Sequence, residues 1–116
     1  MSKQMSKEIR SIVTSEGSIE ISIASVEKPT PLENEVLIKV EASPINPSDL
    51  GLLISFAADL DSLCISGSGD ATVAKMKIHP GLMGAMKPRL DQSMQVGNEG
   101  GGVVEDTGES VKGLIG

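Results

Sequence analysis

Along the first third of the chain, apolar and polar positions alternate. Within residues 18–23, Ile19, Ile21 and Ile23 share one face while Ser18, Glu20 and Ser22 share the other, the period of a half-buried strand. Residues 8–14 form a second run, and Glu16-Gly17 between the two is a turn signal, so the pair predicts a β-hairpin. Pro29 and Pro31 fix φ and remove two backbone donors, which makes residues 27–34 an extended linker. Residues 35–43 give the cleanest strand, with Val36, Ile38, Val40 and Ala42 on one face and Lys39, Glu41 and Ser43 on the other. After Pro44 and Pro47 the period changes. Ser48 or Asp49 can cap a helix, whose apolar face would hold Leu52, Leu53, Phe56, Ala57, Leu60, Leu63 and Cys64. Residues 66–70 are a Ser-Gly break. In residues 71–95, Met76, Met83, Met86 and Met94 scatter among Lys, Pro and Gly without a firm period, which predicts a long excursion with one helical turn. Residues 95–105 read as a Gly-rich strand or a bulged pair of strands, followed by a turn over 107–112. Residues 1–7 are expected to be flexible. The apolar end at Leu114 and Ile115 reads as a chain cut before its next element.

Composition narrows the class. At 116 residues and 12.0 kDa the chain has the size of one domain, and 39% hydrophobic with 22% charged residues is ordinary globular usage. The formal charge of -6 repels phosphate backbones, so nucleic acid is not an expected partner. No apolar run approaches the roughly 18 residues of a membrane span, and no signal-peptide pattern follows the basic start, which makes a cytoplasmic location the default. Cys64 and His79 are the only residues of their kinds. An internal disulfide is therefore impossible, and neither a zinc site built from Cys and His nor a Ser-His-Asp triad is expected. Phe56 is the single aromatic residue beside 13 Gly. The core must then come from Ile, Val, Leu and Met, in a domain that is modestly stable or part of a larger molecule.

Two segments together carry a family resemblance. The run from Glu35 to Leu50, ending Asn46-Pro47-Ser48-Asp49-Leu50, is followed at a distance by Val96-Gly97-Asn98-Glu99-Gly100 and by Gly108-Glu109-Ser110-Val111. Their order resembles the N-terminal, GroES-like domain of medium-chain dehydrogenases/reductases and looks closest to the zinc-independent NADPH:quinone oxidoreductases and enoyl thioester reductases. The resemblance covers residues 8–116, least clearly over 55–95, which would be an insertion. It implies a mainly β fold, a partly open barrel with one or two short helices. It also implies a separate Rossmann domain that binds NADPH. That domain is absent from these residues: Gly67-Ser68-Gly69-Asp70-Ala71-Thr72 lacks the third glycine of a dinucleotide fingerprint, and residues 97–102 lack its spacing. The chain is thus expected to be a catalytic-domain fragment, inactive alone, of an oxidoreductase that reduces a quinone or an α,β-unsaturated carbonyl. A stand-alone β-barrel for binding or assembly is the alternative, and an open sheet edge would allow homo-oligomers.

The resemblance also assigns candidate residues. Zinc-dependent relatives carry a Cys within the segment matching residues 44–49 and a His at the position of Asn98; this chain has neither, so no metal is expected. Asn46 would lie at the nicotinamide end of the cleft, where its amide can bond a ribose or a substrate carbonyl; it equally serves as a turn residue before Pro47. Asn46, Phe56, Asn98 and Glu99 are the substrate-cleft candidates, Glu99 being otherwise a carboxylate at a strand end. Asp49 is read as a helix cap before an acid, Cys64 as a small core hydrophobe, and His79 as an exposed loop residue. Many relatives place a Tyr soon after the Asn-Pro-Ser-Asp segment to bond the substrate oxygen. This chain has none, and Phe56 offers no donor, which leaves the catalytic proton donor unassigned.

Overall fold

The structure, a computed structural model, describes residues 4–113. Strands β1 (Met5–Thr14) and β2 (Ser18–Glu27) form the expected hairpin, paired in register from Met5 opposite Glu27 to Thr14 opposite Ser18. Its turn closes with the Gly17 N–H donating to the Thr14 carbonyl at 3.0 Å. Gly17 has φ +96°, a left-handed conformation that glycine adopts without side-chain clash. The described part of the stretch expected to be flexible belongs to β1 from Met5 onward. β3 (Val36–Ala42) follows the proline linker as expected.

The helix reading of residues 48–64 is corrected. α1 spans only Pro47–Leu53, with Asn46, and neither Ser48 nor Asp49, at its N-cap. It ends because Ser55 turns into the left-handed region at φ 60°, which stops helical propagation. The chain then runs into β4 (Ala58–Ser66). Cys64 is consequently exposed on a strand and contributes nothing to the core. Phe56 occupies the turn between α1 and β4 and is 73% exposed.

The excursion read over residues 71–95 is corrected as well. It contains β5 (Val73–Ile78), a 3-10 segment over Pro80–Arg89 and the two-residue β6 (Met94–Gln95). In β5, Ala74, Met76 and Ile78 alternate with Lys75 and Lys77, and Met76 and Ile78 are buried. β7 (Gly101–Thr107) completes the strands.

The molecule is mainly β, but the strands do not close into a barrel. One antiparallel sheet has the order β4-β5-β2-β1-β6, and β3 and β7 form a separate two-stranded ribbon. The buried hydrophobic core consists of Val13, Ile19, Ala57, Met76, Ile78 and Met86, with Ile54, Leu82, Met83 and Leu90 packed around it. It sits at the end of the sheet nearest the β1–β2 turn, where the segment after α1 and the 3-10 residues cover one face. Further along the same face the cover gives out, and Ile9 and Ile23 are 49% and 38% exposed. Among the described residues no helix is long and apolar enough to cross a membrane.

Candidate functional site

β3 and β7 pair antiparallel from Val36 opposite Thr107 to Ala42 opposite Gly101, with irregularities after Leu37 and after Val40. Residues 43–46 leave β3 at the end where residues 97–100 enter β7, so the two asparagine-bearing segments meet. The close approach of the strands explains one glycine here: a β-carbon on Gly102 would run into the Lys39 carbonyl. Gly101, its neighbour, has open space at the same position.

A compact hydrogen-bond network joins the segments. The Asn46 side-chain amide donates to Glu99 Oε2 at 3.1 Å. The Asn98 amide donates to Asp49 Oδ1 at 2.9 Å and to Ser48 Oγ at 3.0 Å. Asp49, only 2% exposed, also accepts the Asn46 backbone N–H on Oδ2 at 2.8 Å. Asp49 therefore does what a third-position carboxylate of a capping box does, satisfying a free N–H at the start of α1. The helix-cap reading of this residue is kept, with the position within the cap changed.

The two amides are not equivalent. Each NH2 group has two protons. Asn98 directs both at α1 and so ties the glycine-rich segment to the helix start. Asn46 commits one to Glu99, and no further hydrogen bond of its Nδ2 occurs among the described residues. Beside Asn98 lies a cavity of about 620 Å³ lined by Asn98, Glu99 and Gly100 at one end and by Ile9, Ile23 and Val40 along its apolar wall. An ion pair of Lys7 with Asp70, at 2.5 Å, stands on its rim.

Of the residues singled out in the sequence, Asn46, Asn98 and Glu99 come together. Asn98 and Glu99 line the cavity, whereas Asn46 reaches it only through its bond to Glu99 and Phe56 is not among its residues. His79 is exposed and lines a different cavity with Lys75 and Lys77.

Two residues that sequence reasoning passed over hold the site's helix in place. Ser11, fully buried on β1, donates its hydroxyl to the Leu52 carbonyl at 2.6 Å. Arg89 donates to the Gly51 carbonyl at 3.2 Å, to the Leu52 carbonyl at 3.1 Å and to Ser11 Oγ at 3.1 Å. The guanidinium thus meets the last carbonyls of α1, where a cation is favoured. Burial pushes its pKa down from the ordinary arginine value, and it remains a cation at neutral pH. No local pattern marked either residue, since their partners lie 37 to 78 positions away.

No protein-family model matches this chain, and no curated protein matches it. The donor chemistry at the site is two amides, a hydroxyl and two carboxylates, one of them already holding two N–H groups. Such a set suits carbonyl and hydroxyl ligands better than zinc, which prefers imidazole and thiolate.

Proposed function

We propose that this chain is a GroES-like catalytic-domain portion of an NADPH-dependent, zinc-independent oxidoreductase that reduces a quinone or an α,β-unsaturated carbonyl compound. One observation supports it above the rest. The two segments that carry the resemblance are far apart in sequence, yet they lie side by side, with Asn98 and Glu99 lining an apolar-walled cavity and Asn46 bonded to Glu99 at its end. In this reading Ile9, Ile23 and Val40 receive the apolar body of the acceptor and keep water from it. The spare N–H of Asn46 bonds the acceptor carbonyl or a ribose hydroxyl, and Glu99 acts as a positioning residue that fixes the direction of that amide.

NADPH would supply the hydride. The described residues suit the uncharged end of such a cofactor and not its phosphates: α1 has seven residues, and its first turn carries Asp49. The phosphates would fall to a doubly wound domain.

The test uses the 15N-labelled chain titrated with a fully substituted quinone, which has no free ring position for Cys64 to alkylate. Shifts are expected at the Asn46 side-chain amide and at residues 97–100, and Asn46→Ala should weaken binding about five- to tenfold, the worth of one hydrogen bond. An unperturbed spectrum, or shifts confined to another face, would refute the reading. NADPH alone should not bind the isolated chain with micromolar affinity. Calorimetry showing such binding would count equally against it.

A further inference from the structure

The five-stranded sheet ends on β4, which pairs with β5 on one side and, among the described residues, with no strand on the other. Open edges are ordinarily blunted by lysine, proline or inward charge. β4 contains neither lysine nor proline, and its two acidic residues, Asp59 and Asp61, sit in its first half. Its apolar side chains point to solvent instead: Leu60 is 60% exposed, Leu63 50% and Ile65 63%, with Phe56 at 73% just before the strand. The β4–β5 pairing is irregular between Asp59 and Cys64. From Cys64 onward the register is regular, with Cys64 opposite Lys75, Ile65 opposite Ala74 and Ser66 opposite Val73. The part of the edge able to receive another strand is therefore its second half.

We propose that two copies of this chain pair antiparallel along this edge, about a two-fold axis through Cys64. The register is chosen by the sequence itself. With Cys64 opposite Cys64, Leu63 of one copy lies against Ile65 of the other, twice by symmetry. Ser62 then lies against Ser66, and Asp61 falls against Gly67, so carboxylates do not oppose one another. Moving the axis two residues to Ser62 sets Asp61 against Leu63 and Asp59 against Ile65, which strands charge on apolar side chains. Directly opposed residues of an antiparallel pair have Cα atoms roughly 4.5–5.5 Å apart, inside the range a disulfide spans.

Within the paired half the exposed apolar side chains are Leu63 and Ile65, with Leu60 and Phe56 at its flank, so the interface is small. A stable complex buries about 1,200 Å² or more, so this dimer is a weak one that forms with concentration. The chain's own charge of -6 works in the same direction.

Sedimentation velocity of the reduced 116-residue chain, from micromolar to millimolar, should show a reversible monomer–dimer equilibrium. Ile65→Lys, at a position already exposed and with the circular dichroism unchanged, should leave only monomer. Diamide provides the independent readout: two Cys64 thiols are oxidised to one disulfide while the diazene takes up two electrons and two protons. The wild-type chain should cross-link at least ten times faster than Ile65→Lys. A wild type that stays monomeric throughout, a dimer that survives Ile65→Lys, or equal cross-linking rates in the two proteins would each overturn the proposal.

Discussion

Asp49 shows how much one buried carboxylate organises. It holds the Asn46 backbone and the Asn98 side chain at once, so the start of α1 and the glycine-rich segment share a single acceptor group. Asp49→Ala is expected to cost about 1–2 kcal/mol, the worth of a lost cap together with unpaired donors. The urea midpoint should fall at constant slope, and the Asn98 side-chain amide signals should move toward their solvent-exposed positions. Gly102 offers a paired test. Gly102→Ala forces the β3–β7 strands apart and should lose about 1–3 kcal/mol, as overpacking does, whereas Gly101→Ala meets open space and should leave the melting temperature nearly unchanged. At this scale the sequence was informative where a segment resembled a known family. Asn46, Asn98 and Glu99 were singled out through the resemblance of the segments that carry them. Arg89 was not, because an arginine among Lys, Pro and Met carries no sign of the carbonyls it will meet.

The elements divide by the clarity of their period. β2 and β3 carry the alternation, β1 is joined to β2 by the Glu16-Gly17 turn signal, and the structure has all three strands at those places. The helix was legible at its beginning to within two or three residues, from the change of period after Pro47, and illegible at its end. Leu60, Leu63 and Cys64 happen to continue the helical spacing of Leu52, Leu53 and Phe56, and only the backbone turn at Ser55 breaks it. β5 had the opposite fate: its alternation of Ala74, Met76 and Ile78 with two lysines was present, but Met and Lys favour strands weakly and the flanking Gly and Pro masked it. What fastens α1 to the sheet is Arg89, and that can be measured. Arg89→Ala removes bonds to Gly51, Leu52 and Ser11 and is expected to destabilise the protein by about 2 kcal/mol. Arg89→Lys should recover less than half of this, since one ammonium cannot reproduce the planar fork. Thermal or urea unfolding of the two variants distinguishes these outcomes.

The whole molecule is longer than a domain of its size ordinarily is. Its radius of gyration is 17.2 Å over extents of 53 × 27 × 22 Å, where a compact domain of this length would have about 13 Å. The reason lies in the division into a sheet and a ribbon that share no strand pairing and enclose a groove, joined across it by the Lys28–Glu105 ion pair at 2.6 Å. Among the described residues six buried hydrophobic side chains make a small core, so an unfolding free energy at or below about 5 kcal/mol is expected, the low end for proteins of this size. Denaturant titration checks the stability, and small-angle scattering at high dilution checks the radius of about 17 Å for the monomer. The composition pointed to a thin core, and the resemblance to a mainly β, partly open barrel. The division into a sheet and a separate ribbon was legible in neither, because the pairing partners of a strand are not written in the strand's own period. One pairing also has a consequence in time. Asn46 and Glu99 are 53 positions apart, and most of the chain between them, β4, β5 and β6 included, belongs to the five-stranded sheet. Bringing such distant stretches together earns its stabilisation only after the loop-closing entropy has been met. The β1–β2 hairpin can form early from neighbouring residues, while the ribbon must wait, so the candidate site is the last region of the chain to be assembled.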